Sequence, residues 1–191
     1  MNDDAHLMEH RLDSESVFDG RLLHVRRDRV RMPDGHEASR EYIVHPGAVV
    51  MIPVLPNGSL VMERQFRYPL SRVFYELPAG KVDAGEDRLA TAKRELLEET
   101  GYAADAWTWL GAIHPVISYS TEQIDLYLAE GLSLKARQLD HGEFLDVIEM
   151  PLERALDMVR DGEITDAKTI AGLFWVERVL DGRWRKPESA A

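Results

Sequence analysis

The segment from Gly80 to Tyr102 constrains this chain more than any other part. It reads Gly-Lys-Val-Asp-Ala-Gly-Glu, then seven intervening residues, then Arg94-Glu-Leu-Leu-Glu-Glu-Thr-Gly-Tyr102. Apolar Leu89, Ala90, Ala92, Leu96 and Leu97 fall at spacings that one helical face can share, so a helix is expected over 87–100, stopped by Gly101. On it Glu95, Glu98 and Glu99 stand at i, i+3 and i+4 and project from one face. Like charges at those spacings repel, and a chain selected only for helix stability would interleave lysines. A hard divalent cation removes the conflict, because Mg2+ takes oxygen ligands and keeps waters and substrate phosphates in its shell. A bare run of this kind is more often an exposed acidic face, but its surroundings favour the cation. Arg94 can hold a carboxylate through a fork of hydrogen bonds, Glu86 lies at the helix start, and Gly80, Gly85 and Gly101 allow tight turns at both ends.

The rest of the composition narrows the partners. With 191 residues, 45% of them hydrophobic, the chain can bury a core as one domain or as a core with a small appendage. Its 34 acidic and 23 basic residues leave a formal charge of -11, which disfavours nucleic acid and anionic membranes but admits small polyanions bridged by a metal. The absence of cysteine excludes disulfides and thiolate zinc sites, so any metal must sit on oxygen or imidazole. The polar, acidic first 16 residues contain no secretory pattern, and the longest apolar stretch, Ala48 to Leu55, is too short to span a bilayer. A cytoplasmic protein is expected.

Along the chain, residues 1–12 read as a loose tail. Residues 14–45 read as a short antiparallel meander with a turn at Pro33-Asp34-Gly35, its arginines Arg26, Arg27, Arg29 and Arg31 on a wet strand face rather than on phosphates. A buried strand follows over 48–55, then the hairpin signal Asn57-Gly58 and a strand over 60–66. Two more strands are expected over 107–114 and 123–129, separated by the loop 115–122. Two helices close the chain over 151–160, with Pro151 at N1, and over 166–180. This mixture, without regular strand-helix alternation, favours an α+β sandwich of mixed sheet and helices. The histidines (His6, His10, His24, His36, His45, His114 and His141) show no paired ligand spacing, and Trp107, Trp109, Trp175 and Trp184 read as core or interface.

The segment Gly80 to Tyr102 resembles the signature of the Nudix hydrolase family, GX5EX7REUXEEXGU, at every fixed position. Arg64-Gln-Phe-Arg67-Tyr-Pro, Glu76-Leu-Pro-Ala-Gly80 and Gly162-Glu-Ile-Thr-Asp-Ala-Lys168-Thr-Ile170 are similar to the ADP-ribose pyrophosphatase branch. The resemblance implies a Nudix α/β/α sandwich over 46–191 and a dimerisation region in the meander over 1–45. It implies Mg2+, or Mn2+ in its place, held by Glu95, Glu99, Glu98 and the Ala79 carbonyl, with Arg94 and Glu86 orienting the ligands. Arg67 and Glu76 are the implied substrate contacts, for diphosphate and for a sugar hydroxyl or adenine amine. Glu122, in the loop before the last strand, is the implied catalytic carboxylate. The expected reaction is hydrolysis of ADP-ribose to AMP and ribose 5-phosphate by a homodimer. One departure bears on substrate: the branch's proline beyond the box is matched only by Pro115, a few residues early. The same chemistry on a nucleotide sugar such as GDP-mannose, or on a dinucleotide, is the alternative, and a non-catalytic ADP-ribose sensor is a third.

Overall fold

A computed structural model describes residues 4–137, 139 and 144–187. The chain divides into two compact units, residues 1–47 with 116–123, and residues 48–115 with 124–191. The segment 116–123 thus folds with the N-terminal strands, across the 45/46 boundary expected from the sequence.

In the first unit, β1 (His10–Asp19), β2 (His24–Arg31) and β3 (Glu37–Val44) form an antiparallel sheet in that order. The expected loose tail is shorter than 12 residues: one 3-10 turn covers Ala5–Leu7, and His10 already pairs with Arg31. Register is written in charge. Arg27 stands opposite both Glu15 and Glu41 and lies 3.1 and 2.9 Å from their carboxylates, and Arg29 reaches Asp13 at 2.7 Å and Glu37 at 3.1 Å. Exposed pairs of this kind add little stability but penalise a one-residue slip. Residues 116–123 attach to β3 through the Ile43 amide on the Tyr119 carbonyl (2.9 Å) and the Thr121 amide on the Ile43 carbonyl (3.0 Å).

The second unit is built around β4 (Ala48–Pro53), whose six residues are all buried. It pairs parallel with β9 (Ile124–Leu134) and antiparallel with β7 (Ala79–Lys81), and β8 (Tyr102–Ile113) completes the mixed order β7-β4-β9-β8. A second, antiparallel sheet has β5 (Ser59–Arg67) between β10 (Leu145–Pro151) and β6 (Arg72–Glu76). Side chains alternate across β4: Val49 and Met51 enter a core with Leu89, Ala92 and Leu96 of α1 (Arg88–Thr100), while Val50 and Ile52 enter a core with Leu173 and Val176 of α3 (Ala167–Leu180). α2 (Leu152–Arg160) adds Ala155 and Met158 to the latter. A strand apolar on both faces with helices over each is the α/β/α sandwich expected.

Three local differences have physical causes. The Asn57-Gly58 turn forms, with the Leu55 amide on the Ser59 carbonyl at 2.8 Å, but only the Val54–Leu60 bridge follows it, because β4 and β5 then diverge into separate sheets. α1 buries Leu89, Ala92 and Leu96 but leaves Ala90 and Leu97 exposed, so its apolar stripe is narrower than the run of apolar residues. Pro151 is the N-cap of α2 and the last residue of β10 rather than the first helical residue. Trp107 is buried edge-on against Tyr127, as a core residue is, and Trp175 packs against the half-exposed Trp184, whereas the half-exposed Trp109 donates to Asp125 at 2.8 Å. His141 lies outside the described residues.

Candidate active site

α1 begins where its sequence says it should. Asp87 caps it, accepting from the amides of Leu89 (2.9 Å) and Ala90 (3.2 Å). Arg88, one residue in, lies 2.7 Å from the buried carboxylate of Asp125 on β9, which fastens the first turn to the mixed sheet. At the other end Gly101 adopts a left-handed conformation (φ 76°) and its amide returns to the Leu97 carbonyl.

Between these ends the acidic face is organised by Arg94. Its Nε and one Nη donate to the two oxygens of Glu86 at 3.0 and 2.8 Å, a bidentate fork, and its other Nη donates to Glu95 at 2.8 Å and Glu98 at 3.0 Å. Thr91 Oγ1 adds a bond to Glu86 at 2.8 Å. Arg94 first and Thr91 second draw the Glu86 carboxyl down to about 2, and Glu86 first, then Glu98 and Glu95, raise Arg94 further above its ordinary value. One cation therefore bonds three carboxylates, with the exposed Asp83 carboxylate 3.8 Å away as a fourth.

Glu99 turns inward. It is buried, and its Oε2 accepts from the Ala79 amide at 3.1 Å. Glu95 lies so close to β7 that a Cβ on Gly80 would sit 2.0 Å from its Cδ, so the glycine makes room for the carboxylate. Among the described residues no three carboxylate or imidazole groups converge into a closed cage. The donor set nevertheless fits a hard divalent cation: all donors are oxygens, negative charge is in excess, and Mg2+ needs only one or two carboxylates besides waters and phosphates.

Arg67 and Glu76, expected as substrate contacts, are paired with each other across β5 and β6. Arg67 forks onto Glu76 at 2.7 and 2.8 Å, and Lys168 also bonds the Glu76 carboxylate. Burial pushes the Glu76 carboxyl up, and the bonds from Arg67 and Lys168 outweigh it, leaving it below its usual value. Lys168 was not singled out from the sequence, although it lies in the Asp166-Ala-Lys168-Thr segment. It bonds Asp166 at 2.8 Å, and Asp166 caps α3 through the Thr169 amide (3.0 Å) and hydroxyl (2.6 Å). Thr169 Oγ1 in turn accepts the Leu77 amide at 2.9 Å. A cavity of about 320 Å3 is lined by Arg67, Arg72, Phe74, Glu76 and Lys168 among others. Only Glu76 in this group is fully buried, so removal of its cations strands a desolvated carboxylate, whereas water reaches the half-exposed Arg67.

Glu122 belongs to the N-terminal unit. Its carboxylate lies 3.7 Å from His45 Nε2, and its amide donates to Ser120 Oγ at 3.1 Å. His45 Nδ1 accepts from the Gly47 amide at 3.1 Å, which leaves Nε2 as the protonated nitrogen facing Glu122.

These features have counterparts in known proteins. A family model described as the NUDIX domain matches residues 44–173, and one described as the nucleoside diphosphate sugar hydrolase N-terminal domain matches residues 9–43. The chain belongs to the Nudix hydrolase family, whose members generally use divalent metal cations. It is 39% identical over 173 residues, 90% of this chain and 94% of the relative, to an ADP-ribose pyrophosphatase of Bacillus subtilis. It is 39% identical over 171 residues, 88% of this chain and 92% of the relative, to a methanol dehydrogenase activator of Bacillus methanolicus. The crystal structure of an ADP compounds hydrolase matches it with a TM-score of 0.83 at 26% identity, covering 94% of this chain and 98% of the other. Among the described residues no helix is long and apolar enough to cross a membrane.

The Glu86 fork has a pH signature. A carboxyl whose value is lowered on folding contributes stability that is fully present above its ordinary value of 4.5 and is lost as pH falls toward about 2. Thermal unfolding of the wild type and Glu86→Gln is therefore expected to differ most at neutral pH, with the gap closing below pH 4.5. A gap independent of pH would mean that the fork contributes no charge-dependent stability.

Proposed function

We propose that this protein hydrolyses the diphosphate of ADP-ribose to AMP and ribose 5-phosphate. The single observation that carries the reading is the Arg94-centred face of Glu86, Glu95 and Glu98, with Glu99 buried beside it, in a chain 39% identical to an ADP-ribose pyrophosphatase over nine-tenths of its length. Mg2+, or Mn2+ in its place, held by Glu95, Glu99, Glu98 and the Ala79 carbonyl, would neutralise the diphosphate and make its phosphorus more electrophilic. Arg94, anchored by Glu86, keeps Glu95 and Glu98 in fixed rotamers so that the ligand geometry is set before substrate arrives. Arg67 leaves part of its fork on Glu76 to meet a diphosphate oxygen, and Glu76, still held by Lys168, accepts from a sugar hydroxyl or adenine amine. Glu122 takes the proton of the attacking water. His45, its partner across 3.7 Å, holds the carboxylate in place.

In this reading the working form is a homodimer, and the three-stranded sheet of the first unit supplies the interface. Its physical motive is that a small sheet cannot bury both of its faces alone.

Incubation with Mg2+ and a panel of ADP-ribose, GDP-mannose and a dinucleotide, with products resolved by chromatography, tests the substrate. ADP-ribose is expected to give the highest kcat/KM, and preference for another member would move the assignment to that nucleotide. Glu99→Gln is expected to fold normally and lose at least about 10³ in kcat, because the amide keeps the volume and removes the charge. A rate within tenfold of the parent would rule Glu99 out as a ligand. Glu122→Gln is expected to lower kcat about 10² with KM little changed, and near-parental kinetics would take base duty away from it. Light scattering at micromolar concentration should return twice the chain mass of 21.8 kDa; an active monomer would remove the dimer.

A further inference from the structure

β5 carries one acidic side chain that the reading above leaves idle. Glu63 stands opposite Glu76 in the β5–β6 ladder and opposite Val147 of β10, and both glutamates are only 3% exposed. Directly opposed residues of an antiparallel pair project to the same face with Cβ atoms about 4.5–5.5 Å apart, so two carboxyls share one buried space. The cations near Glu63 are Arg67 on β5, Lys168 at the start of α3 and Arg137 in the segment after β9. All three are engaged elsewhere: Arg67 forks onto Glu76, Lys168 bonds Glu76 and Asp166, and Arg137 donates to the Leu145 carbonyl at 2.9 Å. Arg64 and Asp146, neighbours of Glu63 along β5 and across on β10, alternate to the other face and pair there at 3.4 Å.

Glu63 Oε1 has no hydrogen-bond partner. A buried carboxylate in that state is far more costly than a buried carboxylic acid, so of the two opposed groups Glu63 keeps the proton and Glu76 the charge. Burial first, and then repulsion from Glu76, push Glu63 up to about 8, against the attraction of Arg137, Arg67 and Lys168. With Glu63 neutral, Glu76 and Asp166 balance Arg67 and Lys168. Arg137 bonds a neutral carbonyl and keeps its positive charge, so loss of the Glu63 proton to solvent adds a negative charge that draws on Arg67 and Arg137 and opposes Glu76.

We propose that Glu63 is a positioning residue for substrate binding: uncharged, it leaves Arg67 available to share between Glu76 and an incoming diphosphate, and ionised, it ties Arg67 to the protein and repels the anionic substrate. The proposal rests on the reading of Arg67 and Glu76 as substrate contacts. Its effect falls on KM and not on kcat, because Glu63 acts through Arg67 and has no bond to the Arg94-centred face.

The test is KM for ADP-ribose against pH in the wild type and in Glu63→Gln, which keeps the shape and cannot ionise. Wild-type KM is expected to rise about tenfold between pH 7 and 9, while that of the variant changes less than about twofold. Parallel profiles would overturn the proposal, whether superimposed or displaced by a constant factor, since a merely structural role has no pH dependence of its own. Thermal unfolding gives a second readout that needs no turnover. A carboxyl raised on folding contributes stability that is fully present below its ordinary value of 4.5 and lost as pH rises through about 8. The Gln variant should therefore gain in Tm on the wild type from pH 5 to pH 8.5, and the absence of that gain would also overturn the proposal. Failure to hydrolyse any diphosphate sinks the substrate reading and this proposal together, whereas activity without the Glu63-dependent profile sinks this proposal alone.

Discussion

The structure depends on how a helix can carry Glu95, Glu98 and Glu99 on adjacent turns without coming apart. Arg94 is the protein's own answer: one guanidinium donates a bidentate pair of bonds to Glu86 before the helix and reaches Glu95 and Glu98 within it. It reduces the repulsion without cancelling it, since the carboxylates of Glu86, Glu95 and Glu98, and Asp83 farther out, surround one cation. The remaining excess of negative charge makes the face a place for a divalent cation, and the caps at Asp87 and Gly101 and the Arg88–Asp125 pair keep the helix in position while it bears that charge.

The second organising feature is the way residues 77–79 are pinned between β6 and β7. Thr169 of α3 takes the Leu77 amide, and Glu99 of α1 takes the Ala79 amide. These helices cover opposite faces of β4, so the short segment carrying the Ala79 carbonyl is held by hydrogen bonds from both layers. The Arg67–Glu76–Lys168–Asp166 network continues the hold onto the cap of α3. The proposed substrate contacts and metal ligands would thereby be built on rigid elements rather than on free loops, which suits chemistry that depends chiefly on positioning. The same network explains why a second buried carboxyl at Glu63 matters: Arg67 and Lys168 are already paired with Glu76 and Asp166, so a charge on Glu63 would compete for Arg67.

Much of this was legible in the sequence because it is local. The helix 87–100, its glycine stop and its glutamate face follow from spacing within 23 residues, and β4 follows from an unbroken apolar run. The N-terminal meander showed itself through alternation and its Pro-Asp-Gly turn. β6, β7 and β10 did not, since they are short or charged and become strands only by pairing with β4 and β5. The divergence of β4 from β5 after the Asn57-Gly58 turn was equally hidden, because a turn signal specifies a reversal and not the sheet each arm joins.

By itself, then, the sequence determined the composition and spacing of the acidic face and the helix that presents it, since both are set by a 3.6-residue period and by a glycine stop within one segment. Tertiary structure alone decided the contacts between segments far apart in the chain. It gave Arg67 to Glu76, brought Lys168 from 92 residues away onto the same carboxylate, placed Glu122 beside His45, and set the buried Glu63 opposite the buried Glu76. These outcomes depend on strand register and on which faces are desolvated. Neither has a local signature, because burial and register are properties of the assembled sheets.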